Sequence, residues 1–407
     1  MRILSLVSAL MISLWALSAA GQESAPVTPP VTAVLQSPAP MAAELTPPTR
    51  DTLLSTLERG PARFDAGSFS MVFHGRLQFW GGWVDSDTLM SEGDKMQEPG
   101  FRMRRARFGV DGNVTSEITY RLELDVFDEE KTGGPLYEAW VDYTPTRWIG
   151  ATVGYQKFPF VKTEIASSAH IAHLDRAIGI DAIAPAHALG VALHTEPWKD
   201  HLIVTAGVFN GLQRNSGFFQ GFEPVGVSSG NKFEKLSFVG RFDLEPLDPI
   251  GTGEADLMAE KTFRLALGGS GYYNDGKSVT TVGASGFLHA KAYGLHLLGE
   301  VVFDQSKPRK VPTSTNTIAT KTSRMVAQAS LGYMLLPDCL GLAARGELIN
   351  DNMDQDDEGD QVAAAGTLSW YALRDFVKVQ LEYQHRAELH GKSVKNDAVI
   401  AGVQLYF

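Results

Sequence analysis

From Ser68 onward, run after run of the chain alternates apolar and polar side chains, and this period of two limits what it can fold into. "FSMVFHGRLQFWGGWV" sets Phe69, Met71, Phe73, Leu77, Phe79 and Trp83 against His74, Arg76 and Gln78. "EITYRLELDVF" sets Ile118, Tyr120, Leu122, Leu124 and Val126 against Thr119, Arg121, Glu123 and Asp125. "FVKVQLEYQHR" does the same with Val377, Val379, Leu381 and Tyr383 against Lys378, Gln380, Glu382, Gln384 and Arg386. Such strands start near residues 69, 102, 117, 136, 148, 187, 201, 235, 262, 279, 291, 324, 340, 361, 376 and 397. That is about sixteen, an even number of the size found in transmembrane barrels.

Alternation alone also fits a β-sandwich. Many of these strands, however, run to about ten residues or more, enough to cross a membrane at a tilt. Short joints at 112–117, 144–147, 196–200, 290–291, 336–339 and 372–375 alternate with long ones at 85–100, 128–135, 157–187, 210–234, 304–323, 350–361 and 387–396. Two joints break the pattern: 274–277 is short, and 245–261 is long on the short side. Aromatics gather near strand ends, at Trp80, Trp83, Trp140, Tyr143, Trp148, Tyr155, Trp370 and Tyr371, as interfacial girdles do. The expected fold is all-β: a transmembrane antiparallel β-barrel, with outer-membrane lipid around it.

The last strand, "NDAVIAGVQLYF", carries Val399, Ala401, Val403, Leu405 and Phe407 on one face. A free terminus ordinarily frays, so a chain ending on Phe407 reads as a wall strand that closes the barrel against the first strand. Phe407, Leu405 and Val403 also resemble the terminal signal that barrel-assembly machinery recognises, and form the expected membrane-assembly signal.

The N-terminus places that barrel in an exported protein. Arg2, an apolar run from Ile3 to Leu17 and the small residues Ser18, Ala19 and Ala20 make residues 1–20 a signal peptide. The run is short for a spanning helix. Residues 21–67 read as a Pro/Ala-rich periplasmic linker, with a short helix from about Asp51 to Arg59 stopped by Gly60-Pro61. Residues 68–407 are the barrel domain. A net charge of −11 argues against nucleic acid. Cys339 is the only cysteine, so neither an intramolecular disulfide nor a Cys/His metal cluster is expected. No hydrolase motif joins a serine, a histidine and an acid, so neither an enzyme nor a cofactor is expected.

Three segments carry a family resemblance. "FRMRRARFGVDGNV" (101–114) resembles the second-strand motif of the phosphate-selective porins O and P. "GYQKFPF" (154–160) resembles the point where that family leaves its fifth strand, and "LDRAIGIDAIAPAHALGVAL" (174–193) the return of its third loop. The resemblance implies a sixteen-stranded outer-membrane porin of a Gram-negative cell, a homotrimer, with an inward-folded third loop forming the constriction. It also implies small phosphate-like anions as solutes, guided by basic side chains in the lumen. The basic residues expected along the anion path here are Arg76, Arg105, Arg107 and Arg121, turned inward by strand parity, and Lys157, Lys162 and Arg176 on the loop. The return departs from the family in reading "APAHALG" where basic residues commonly precede the Leu-Gly.

Strand parity sends Arg76, Arg105, Arg107, Arg121, Arg241, Arg264, Arg345, Lys378 and Arg386 inward. It also sends inward Asp111, Glu123, Asp125, Glu138, Asp142, Asp243, Glu300, Glu347 and Glu382, an equally long roster of acids. Arg76, Arg107 and Lys157 are expected at the constriction, and Lys378 and Arg386 away from it. His170, His173 and His187 fall in the third loop, where they either bind anions when protonated or pack. "DNMDQDDEGD" (351–360) is either a solvated outer loop or a bridge through divalent ions to anionic lipid. Three readings stay open: an anion channel, a non-selective porin, and a barrel scaffold for adhesion or enzymatic activity.

Overall fold

The computed structural model describes residues 49–60, 62–86, 98–127, 135–212, 235–276, 279–309, 320–391 and 396–407. The expected signal peptide, most of the expected linker and parts of several long loops lie outside them. Seventeen strands form one antiparallel sheet. They are β1 (Ala62–Ala66), β2 (Phe69–Ser86), β3 (Gly100–Asn113), β4 (Ile118–Asp125), β5 (Leu136–Thr146), β6 (Ile149–Lys157), β7 (His187–Trp198), β8 (Leu202–Asn210) and β9 (Leu236–Leu244). The series continues with β10 (Arg264–Asp275), β11 (Val279–Ala292), β12 (Leu295–Pro308), β13 (Thr322–Leu336), β14 (Leu340–Asn350), β15 (Gln361–Asp375), β16 (Val377–Glu388) and β17 (Asn396–Tyr406). Each strand from β2 to β17 pairs with its sequence neighbours, and β17 pairs with β2, from Asn396↔Ser86 to Tyr406↔Arg76. The sixteen strands therefore close with no free edge.

Alternation decides which side chains meet lipid. Val399, Val403 and Leu405 are exposed on the outer face, whereas Ala398, Ile400 and Gln404 are buried within. Of the aromatics assigned to girdles, Trp83, Tyr143, Trp148 and Trp370 are about half exposed. Trp80 and Tyr371 are a correction: both turn into the barrel and are buried. Trp80 packs there against Leu174, Val84, Ala398 and Ile400.

The sheet also starts earlier than expected, because β1 lies within the stretch read as linker. It pairs with β2 from Ala62↔Phe73 to Ala66↔Phe69, on the edge that β17 uses higher up. Phe407 exchanges two backbone hydrogen bonds with Gly75, at 2.9 and 3.0 Å. β1 thus continues the line of β17 past the C-terminus. Ahead of it, α1 (Arg50–Glu58) matches the expected short helix and is capped by Thr49. Its Arg50 donates to Asp338 at 2.8 Å and to Ala372 O at 3.0 Å, while Glu58 pairs with Arg374. The helix therefore sits on the turns after β13 and β15.

Candidate functional site

The connection between β6 and β7, residues 158–186, is the third loop of the barrel. It includes two short helices, α2 (Lys162–Ile165) and α3 (Ile178–Ile183). Phe158, Phe160, Val161, Ile180 and Ile183 are almost fully buried, against Phe209, Tyr272, Val302, Val326 and Ile349 of the wall. Burying each large apolar side chain contributes roughly 1.5–3 kcal/mol, so this apolar half anchors the loop inside the barrel.

The rest of the loop is irregular backbone, which needs hydrogen-bond partners wherever water is excluded. Acids on the wall accept from its N–H groups: Glu300 from Lys162 at 2.5 Å, Glu382 from Leu174 at 2.8 Å, and Glu347 from Gly179 at 3.0 Å. Bases donate to its carbonyls: Arg241 to Phe160 O at 2.8 Å, Lys378 to Ala169 O and Ile171 O at 2.9 Å, and Arg345 to Asp175 O at 2.8 Å. The equal numbers of inward acids and bases thus have a structural use, since many of these charges serve the loop's backbone.

The basic residues singled out in the sequence mostly converge on this loop. Arg76 donates to Ser168 Oγ at 2.6 Å and Ser167 Oγ at 2.9 Å. Arg105 donates to Gln78 at 2.7 Å and pairs with Asp175 at 2.8 Å. Arg107 pairs with Asp125 at 2.6 Å and lies 3.5 Å over the Tyr137 ring. Lys157 donates to Ile165 O at 2.9 Å and Ala166 O at 3.0 Å. Arg176 pairs with Glu164 at 3.2 Å and donates to Thr163 O at 3.0 Å. Burial pushes the Glu164 carboxyl above its ordinary value, against the pull of Arg176. Lys162 reaches 5.2 Å over the Phe287 ring. Arg121 stands apart, about a third exposed, with Asp111 at 3.6 Å and Glu138 at 3.7 Å.

Two residues differ from expectation. Lys378, placed away from the constriction, is 1% exposed and holds the loop from β16, two strands from Arg76. Arg104 was missed because parity points it outward. A bulge at Gln78/Phe79 opposite Met103 and Arg105 breaks that parity, so Arg104 and Arg105 both face in and grip the two oxygens of Asp175. The third-loop histidines pack rather than face a channel: His173 is 1% exposed between Thr367 and Ser330. His170 bonds Asp375 at 3.0 Å, whereas His187, read in the loop, is instead the first residue of β7 and lies 3.6 Å from Glu138.

A second segment enters from the opposite rim. Residues 245–263, the overlong joint between β9 and β10, turn into the lumen under the third loop. Glu254 accepts from Ala172 N at 2.8 Å, and its own N–H donates to His170 O at 2.9 Å. The wall holds the segment through Lys291, which donates to Ile250 O at 3.0 Å, and His289, which bonds Glu254 O at 3.0 Å. The two segments meet inside the barrel.

A family model described as phosphate-selective porin O and P matches residues 76–237, the part of the chain that contains the third loop. An uncharacterized protein of Caulobacter vibrioides is 30% identical over 203 residues, which is 48% of this chain and 38% of that relative. The match therefore spans well under two thirds of the relative's length. Among solved structures, the outer membrane channel DcaP of Acinetobacter baumannii superposes with a TM-score of 0.55 at 13% identity, over 85% of this chain and 100% of that one. The anion-selective porin from Comamonas acidovorans gives 0.54 at 13%, over 83% and 100%. OmpT of Vibrio cholerae gives 0.51 at 12%, over 85% and 100%. At these identities the likeness is one of fold, and that fold is the porin-type outer-membrane β-barrel.

Proposed function

We propose that the chain forms an outer-membrane channel for passive diffusion of small anionic solutes of the phosphate type, with selectivity set at the third loop. One observation carries the anion preference. Arg76 and Lys157 are basic groups at the loop with no carboxylate at ion-pair distance among the described residues; their hydrogen-bond partners are hydroxyls and carbonyls. Wall acids such as Glu123 and Glu138 stand further off. A buried charge without a counter-charge is costly, and in a narrow path of low dielectric it favours an anion more than it would in bulk water. The anion-selective neighbour and the matching family model support the same reading. Export through residues 1–20, insertion by barrel-assembly machinery and assembly as a homotrimer complete it.

The test is single-channel recording in a planar bilayer under a salt gradient. The wild-type reversal potential should show anion preference, and R76A/K157A should move it towards cation preference as nearby Glu123 and Glu138 come to dominate. An unshifted potential would mean that these cations only hold the loop in place.

The contact of Glu254 with the third loop favours a second reading, a channel held shut until the two segments part. In that case wild-type openings are rare, and E254A makes them frequent.

Orientation has its own test. The helix α1 and Phe407 share a rim with the short turns, so the turn at Cys339 belongs on the periplasmic side and the 351–360 loop outside. A membrane-impermeant thiol reagent on intact cells should leave Cys339 unlabelled and label D356C, whose native side chain is 85% exposed. The reverse pattern would invert the barrel.

A further inference from the structure

The long-loop rim carries a side-chain cluster that the channel does not use. Asp360, at the end of the loop after β14, is 2% exposed, yet its Oδ1 has no hydrogen-bond partner among the described residues. Its Oδ2 stands 3.7 Å from Nε2 of His390, which follows β16. The same nitrogen lies 4.0 Å from Asp356 Oδ1. One donor atom from each of these three residues lies within 4.8 Å of the others.

The backbone holds this triangle together. Leu389 N donates to Asp360 O at 2.7 Å, which ties the two loops next to His390. Gly391, at φ 82° in the left-handed region that favours glycine, lies against the Glu358 side chain where the two loops meet. A buried carboxylate oxygen without a donor costs on the order of 1–3 kcal/mol, and the carboxylates of Asp351 and Asp357 crowd the same loop. A bound cation would relieve both costs.

We propose that Asp356, Asp360 and His390 bind a divalent transition-metal ion of the Zn²⁺ type and so clasp the two loops across β15 and β16. The imidazole selects this class over Ca²⁺ and Mg²⁺, which prefer oxygen alone. Donors at these separations need only small rotamer shifts to reach bonds of about 2.0–2.2 Å, leaving a fourth position for water.

Calorimetric titration of ZnCl₂ into the full-length, untagged, chelator-stripped protein in detergent tests the site. One zinc should bind per chain, with D360N and H390A each weakening binding roughly tenfold or more. Both variants should keep the heat-modifiable migration of a folded barrel. Failure of the wild type to bind zinc, or binding unchanged in both folded variants (an adventitious ion only), would overturn the site. Equal competition by CaCl₂ would overturn the metal class.

Discussion

Replacing Asp175 with alanine should widen the conducting path and lower the stability of the barrel interior at the same time. Its two oxygens receive Arg104 at 2.7 Å and Arg105 at 2.8 Å, and all three residues are at most 8% exposed. Removing the carboxylate leaves two buried guanidinium groups facing each other, a change that costs about 3–5 kcal/mol when a buried pair is broken. The loop's main-chain ties at Leu174 and Asp175 O would remain but lack this clamp. Planar-bilayer recording should show larger or more frequent openings, with a stronger anion preference because two cations lose their shared counter-charge. The unfolding temperature of the purified barrel should fall. A variant with wild-type conductance and stability would show that the clamp does not hold the constriction.

The second large effect concerns closure. A Cβ at Gly75 would come within 2.6 Å of the Phe407 ring, so G75V forces that ring away from the seam. Overpacking of this kind costs about 1–3 kcal/mol, and here it falls where the first and last strands meet. The fraction of heat-modifiable, folded barrel should drop sharply in G75V, and also when Phe407 is removed. Refolding of the purified F407A chain in detergent, without assembly machinery, separates two causes. Failure there means that the ring acts through its seat on Gly75; wild-type refolding there with failure only in cells means that the terminal aromatic is read by the assembly machinery.

The strands were legible because a wall between lipid and lumen imposes a strict two-residue period over most of the chain. Most observed strand starts lie within two residues of those read from the alternation. β12 is the exception, expected near 291 but starting at Leu295. There the alternation runs straight through a tight turn, Tyr293-Gly294, in which both residues have positive φ. β1 left no trace in the pattern because all its residues are exposed, on both faces. Arg104 was hidden by a bulge, a feature of the strand pair rather than of either strand. The inward charges were legible as charges but not by their use, since many of their partners are atoms of an irregular loop whose path no local pattern encodes. The length of 245–263 marked it as an exception, yet only the contact with Ala172 and His170 gives that length a meaning.

The strand that lies end to end with β17 also has a mechanical consequence. Sliding β17 by two residues along β2 keeps every apolar side chain on the lipid side, so hydrophobic patterning alone does not forbid it. Such a slide towards the chain ends would bring Phe407 opposite Phe73, the position that Ala62 already occupies. β1 is therefore a stop. It fixes the stagger at which the sheet can join, and in a barrel of given strand number that stagger sets strand tilt and girth. Five residues outside the alternating pattern thus act as a gauge for the bore of the whole cylinder.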